Sequence, residues 1–194
     1  MEINGQIAYP LMFIAFLLMV TGTVAGAAAS PENNVELVGH FGGSIRVIDI
    51  VGDYAYVGQG QDLLILDITN LSSPVLVGKI MTKDLISEVK VSGNYAYLAD
   101  GENGLMIVDI SNPSSPIIIE NYDTNGWATG VSVSGNYAYI AGENGLMIVD
   151  INNPSSPILK GSYNTAERAG SVSVSGNYAY VAGMDYGFVI VDIS

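Results

Sequence analysis

The stretch VSGNYAYIAGENGLMIVDINNPSSP, residues 133–157, decides the fold, because the chain carries nearly the same text four times. The copies align on Tyr-Ala-Tyr triplets that begin at Tyr54, Tyr95, Tyr137 and Tyr178, in steps of 41, 42 and 41 residues. The aspartate closing each apolar run repeats the rhythm: Asp67, Asp109, Asp150 and Asp192 stand 42, 41 and 42 apart. A period in the low forties belongs either to propeller blades or to stacked helical pairs. Local chemistry rejects the helices. The apolar stretches are short, rich in Val, Ile and Tyr, and bounded by Gly, Asn, Pro and Ser, which is all-β punctuation. In the third copy four strands are predicted, at Gly130–Ser134, Tyr137–Ala141, Leu146–Ile151 and Ile158–Tyr163. That is one four-stranded antiparallel blade.

The connections agree. Gly52-Asp53, Gly93-Asn94, Gly135-Asn136 and Gly176-Asn177 fall where a tight hairpin needs positive φ, which Gly and Asn adopt at low cost. Asn153-Pro154-Ser155-Ser156-Pro157 cannot continue a strand, since proline has no amide hydrogen to donate. The third strand, LMIVD, is apolar throughout, as a strand covered on both faces is. In Tyr-Ala-Tyr the rings take one face and the alanine the other, so a large residue of one sheet can face a small one of the next. A single blade cannot bury such faces alone, and the repeats must stack.

The runs LLILD (Leu63 to Asp67), LMIVD (Leu105 to Asp109 and Leu146 to Asp150) and FVIVD (Phe188 to Asp192) resemble the LVIVD repeat over about residues 45–194. That resemblance implies a β-propeller and an archaeal or bacterial cell-surface or secreted protein. It brings no catalytic residue set. Val35 to Phe41 aligns with Pro157 to Tyr163 and reads as a fourth strand without its first three, while Val172 to Ser194 reads as three strands without a fourth. The expected architecture is therefore four blades closed by this N-terminal strand. The alternative is part of a larger propeller of seven or eight blades. The chain is expected to be a monomer, or a dimer if the ring is completed in trans.

Residues 31–194 are assigned to the propeller. Residues 1–30 differ: no charge falls between Leu11 and Ser30, and Ala27-Ala28-Ala29 offers small residues for cleavage. This reads as a signal peptide, with the alternative of an uncleaved membrane anchor over residues 11–29. Either places the repeats outside the cytoplasm, secreted or on the cell surface. Cysteine is absent, which excludes disulfides and thiolate metal sites. Six basic residues against nineteen acidic give net −13, and with no basic cluster a nucleic-acid partner is excluded.

Catalytic signatures are missing from the text. The only histidine is His40, in the atypical strand, and no HExxH, phosphate-binding loop or dinucleotide fingerprint occurs. No enzyme is expected; the alternative is a propeller hydrolase or lyase with its site in the central channel, which rests on fold analogy. Asp67, Asp109, Asp150 and Asp192 precede turns and are expected to be structural: buried acids, each satisfied by its own turn amides. Asp100-Gly101-Glu102-Asn103-Gly104 and Gly142-Glu143-Asn144-Gly145 are acidic but lack calcium-loop spacing. Solvated turns are expected there, calcium is a weak second reading, and no other cofactor or metal is called for. Asn70-Leu71-Ser72 is the one glycosylation sequon, which makes Asn70 a candidate.

Variation between copies locates function. In an up-and-down blade the second-to-third and fourth-to-first connections share a rim, and here that rim carries the residues that differ. Candidate binding residues are Lys83, Asp84, Glu102, Trp127, Glu143, Glu167, Arg168, Asp185 and Tyr186, on loops held by a rigid scaffold. Trp127 is the only tryptophan, and Trp, Tyr and Arg are enriched at binding hot spots. The expected function is a noncatalytic surface interaction or adhesion module that binds a protein or a glycan.

Overall fold

A glycine at the first position of a two-residue turn opens each blade. Gly52, Gly93, Gly135 and Gly176 have φ between 56° and 59°. The Asp or Asn that follows does not, since Asn125 is the only described non-glycine residue with positive φ. One positive φ at the first central position is the II′ hairpin, so glycine alone meets the demand that the sequence had assigned to both residues.

A computed structural model of the chain describes residues 36–165, 167–183 and 187–194. Two compact units divide it, Met1–Glu36 and Leu37–Ser194, and of the first only Glu36 is described. The expected leader, residues 1–30, lies outside the described residues. Among those that are described, no helix is long and apolar enough to cross a membrane.

The second unit is all β. The first blade holds β1 (Val47–Val51), β2 (Tyr54–Gln59), β3 (Asp62–Asp67) and β4 (Val75–Met81); the second, β5 (Glu88–Ser92), β6 (Tyr95–Ala99), β7 (Leu105–Asp109) and β8 (Ile117–Tyr122). The third holds β9 (Ala128–Ser134), β10 (Tyr137–Gly142), β11 (Gly145–Asp150) and β12 (Ile158–Tyr163); the last, β13 (Ala169–Ser175), β14 (Tyr178–Gly183) and β15 (Gly187–Asp192). The strands pair in chain order, giving three four-stranded antiparallel sheets and one of three described strands. The first strands form the inner row, where β1 packs on β5, β5 on β9 and β9 on β13. In each four-stranded sheet the third and fourth strands slip register at the same place, Ile65/Leu66, Ile107/Val108 and Ile148/Val149. Such a bulge sharpens the twist of the outer strand.

Between sheets the core repeats one contact. Tyr56 shares a buried cluster with Ala96, Tyr97 with Ala138, and Tyr139 with Ala179. Leu105, Met106, Ile107 and Val108 are all at most 1% exposed, so the middle strand is covered on both faces. Burial, with the neighbouring Tyr95 second, pushes the Tyr97 phenol up to about 12.

The N-terminal strand does not close the last blade. Residues 37–41 form no ladder with β15, and Val35 lies outside the described residues. They lie instead on the first blade. A Cβ at Gly39 would run into the Leu71 carbonyl, as one at Gly78 of β4 would run into the equivalent Pro113 carbonyl of the second blade. Phe41 packs on Ala55, Val57, Leu64 and Leu66, as the equivalent Ile80 packs on the cluster between the first two blades. The segment thus takes, against the first sheet, the place β4 takes against the second. Its docking surface is the neighbouring blade, and backbone pairing with β15 is a separate bond that residues 37–41 do not make.

Replacing Ala138 by Leu should cost about 1–3 kcal/mol by overpacking, and Tyr97→Ala about 3 kcal/mol or more by leaving a cavity. Tyr163→Ala, on a ring 48% exposed, should cost no more than about 1 kcal/mol. Chemical denaturation of the three variants measures this, and equal losses at Tyr97 and Tyr163 would contradict the packing.

Candidate functional site

One end of the blades is uniform. Asp67, Asp109, Asp150 and Asp192 each accept a backbone N–H from the residue two positions on, at 2.8–3.0 Å. Asn70, Asn112 and Asn153 accept the N–H groups of Ser72, Ser114 and Ser155 at 3.2–3.3 Å. Ile68, Ile110, Ile151 and Ile193 donate back to the hairpin carbonyls of Asp53, Asn94, Asn136 and Asn177. The aspartates are not the buried acids expected: three are half-buried and Asp192 is exposed. A strand's last residue reaches the rim, where depth is set by the turn beyond it. Turn hydrogen bonds hold all four carboxyls below the ordinary value, through Thr69, Ser111, Asn152 and Ser194 respectively. Asn70 is exposed, with its amide oxygen held by the Ser72 hydroxyl at 2.7 Å.

The opposite end carries the candidates. In the third blade the β8–β9 loop (residues 123–127) meets the β10–β11 turn. Glu143 N–H donates to the Trp127 carbonyl at 3.0 Å, and the Asn144 side-chain amide to the Asn125 carbonyl at 2.6 Å. The Glu143 carboxylate reaches the Trp127 N–H only loosely, at 3.4 Å. From the next loop, Arg168 sets its guanidinium 5.6 Å from the centre of the Trp127 ring, a cation–π distance, while its Nε is buried without a partner. A hollow of about 270 Å³ opens here, with Ile140, Leu146 and Met147 in its lining beside Trp127, Glu143 and Asn164. Two wider hollows, of about 410 and 460 Å³, lie on the uniform turns and on the outer side of the last two blades. Their walls are the repeated residues, so the smaller hollow is the better candidate.

In the second blade the structure departs from the solvated turn expected. Asp100 is fully buried. Its Oδ1 accepts the Thr82 hydroxyl at 2.6 Å, and its Oδ2 has no partner at strict hydrogen-bond geometry. Burial raises its pKa above the ordinary 3.8, against opposing pulls from Thr82 and the Lys83 and Asp84 amides. Asp84 in turn accepts the N–H groups of Leu85 and Glu102, at 2.7 and 2.9 Å. Asp100 thus anchors the β4–β5 loop from beneath. Among the described residues, no group of three His, Asp or Glu is placed to hold a metal ion.

The rim therefore brings Trp127, Glu143 and Arg168 together, and Asp84 and Glu102 together. Lys83 is exposed, its carbonyl accepting the Gln61 side-chain amide. Glu167 is exposed and accepts the Thr165 hydroxyl through its carbonyl. Asp185 and Tyr186 lie outside the described residues. Sequence reasoning placed Asn125, Asn144 and Asp100 in loops without giving them these contacts, and missed the threonines at one loop position, Thr82, Thr124 and Thr165. Each threonine has its hydroxyl at the carbonyl two residues on. Their recurrence at matching positions was the available signal.

Comparison with known proteins matches this geometry. Two computationally designed propeller proteins of solved structure share the fold at 12% identity. Ika4 gives a TM-score of 0.66, over 84% of this chain and 100% of its own. Ika8 gives 0.63, over 81% of this chain and 48% of its own, so the chain spans about half of that protein. No curated protein matches. The LVIVD repeat model matches four consecutive segments, residues 42–82, 86–124, 125–165 and 166–194. The chain belongs to the LVIVD-repeat family and is built as a β-propeller of those repeats.

Proposed function

We propose that the chain is an exported, noncatalytic interaction module that binds a protein or a glycan on the rim around Trp127. The observation that carries this reading is Trp127, which lines the 270 Å³ hollow and carries the Arg168 guanidinium over its ring. Ligand pockets run from about 300 Å³ upward, so this one is sized for a single sugar ring or one protruding side chain. Its apolar wall and its amide-bearing rim, with Asn125, Asn144 and Asn164, suit a group with one apolar face and several hydroxyls or amides. Binding is favoured over catalysis because Glu143 is the only carboxylate among the described residues of the lining, and hydrolysis of a glycoside needs two. Export is supported by the uncharged stretch between Leu11 and Ser30. The surface location follows the family resemblance, and the net charge of −13 suits a soluble surface.

Rigidity supports the same reading. A loop that recognises something must not lose its ordering entropy on binding, and Asp100 holds the β4–β5 loop as the Glu143 and Asn144 contacts hold the next one.

Two measurements follow. On a glycan array, and for the parent and Arg168→Ala also by titration of Trp127 fluorescence, Trp127→Ala and Arg168→Ala should each weaken binding on the order of tenfold or more, with thermal stability retained. A ligand bound equally well by both variants would refute the rim. The second concerns Asp100. Its raised pKa favours the protonated native state, so its contribution is full below 3.8 and is lost as pH climbs through the raised native value. The four turn aspartates act oppositely: they stabilise above the ordinary carboxylate range and lose that on acidification. Thermal melts of Asp100→Asn against the parent isolate the first effect. The variant should gain relative stability as pH rises from 4 toward 7; parallel pH curves would show that Asp100 does not titrate in this window.

A further inference from the structure

We propose that a second copy of this chain completes the last blade, its residues 37–41 adding as a fourth strand to the edge of β15, and that two such exchanges join two copies into one ring. Three observations lead there. First, among the described residues no strand pairs with the outer edge of β15, and the apolar face it shares with β14 is open: Phe188 is 61% exposed, Ile190 57% and Tyr178 46%, whereas Leu63, Leu105 and Leu146, the equivalents of Phe188 in the earlier blades, are at most 1% exposed. An edge strand with an apolar face is a template for another chain. Second, residues 37–41 already sit as a fourth strand sits against its following blade, through Gly39 on Leu71 and Phe41 on the first sheet, yet among the described residues they pair with no strand.

Third, the two halves match in register. In the third blade Ile148 faces Gly161 and Met147 faces Ser162, and in the first Ile65 faces Gly78 and Leu64 faces Lys79. Aligning the repeats sets Ile190 opposite Gly39 and Val189 opposite His40, with glycine at the bulge as in those two blades. The surface thus continues an interface that the chain builds three times over. Each copy both gives and receives a strand, so two copies close on themselves with a twofold axis and leave no edge free. The rim around Trp127 has no part in this contact, and failure here would leave the binding proposal standing.

The chain has no cysteine, which makes a cross-linking test clean. Chains carrying His40→Cys are mixed with chains carrying Val189→Cys and oxidised. Directly opposed strand residues lie within disulfide reach. The mixture should give a cross-linked species of twice the 20.4 kDa chain mass, and neither variant alone should. Sedimentation of the unmodified chain should give the same doubled mass. Phe188→Asp, at a position 61% exposed in the single chain, should weaken the dimer on the order of tenfold or more. A monomer at micromolar concentration, a cross-link formed within one chain by the double variant, or a series of species growing with concentration would overturn the proposal.

Discussion

A tyrosine ring laid over an alanine methyl holds this protein together. Sheets packed face to face stand about 10 Å apart when both faces carry medium side chains. Each interface here instead sets a large residue of one sheet against a small one of the next: Tyr56 with Ala96, Tyr97 with Ala138, Tyr139 with Ala179. One triplet per blade supplies both halves of the contact, since its rings point forward along the stack and its alanine points back. The repeat is therefore self-complementary, and any blade can follow any other. The cost is strictness. A blade with a larger residue at the alanine position would push its neighbour away, and the error would carry through the inner row of strands.

That strictness divides the two ends of each blade. At one end the Asp and Asn side chains fold back on their own turn amides, and an isoleucine ties the end of the third strand to the hairpin carbonyl. These turn groups are held by local partners, which leaves them less free to meet a ligand. At the other end the loops lean on each other across blades, Asn144 on Asn125 and Arg168 on Trp127. Contacts of that kind constrain position without fixing identity, so this end is where the repeats diverge.

The fold was legible because its rules are local and repeated four times. Strand positions follow from Gly-Asn and Asn-Pro punctuation, and the fourth strand of the third blade, Ile158–Tyr163, was placed to the residue. The rim was legible as a location, since loop variation can be read by aligning copies. Its internal geometry was not. Nothing in the text links Arg168 to Trp127, forty-one positions away, because a cation–π contact leaves no periodic trace. Asp100 read as a loop acid on composition, yet it lies beneath a loop that arrives from the preceding connection and shields it. The depth of Asp67 and its counterparts was misread for a related reason: strand pattern gives the facing of a side chain and leaves its height on the rim open. The residues 37–41 were recognisable as a fourth strand from their likeness to residues 159–163 alone. Which sheet they serve depends on two separate bonds, one to the following blade and one to their own, and similarity cannot tell which of them forms.

The outer edges show how the same repeat handles exposure. Each fourth strand begins with two exposed apolar residues after its proline, Val75-Leu76, Ile117-Ile118 and Ile158-Leu159. A row of such strands invites pairing with other chains, and a charge partway along is a common guard against it. Lys79, Glu120 and Lys160 occupy β4, β8 and β12, two of them in ion pairs with Asp62 and Asp150 across the strand at 2.8 and 3.3 Å. Those pairs lie at the surface and add little stability, so their use is better seen in what they prevent. Between its terminal residues β15 carries Phe188, Val189, Ile190 and Val191, with no charge among them. The chain thus guards the edges where its sheets stop and leaves unguarded the one whose sequence matches the middle of a sheet.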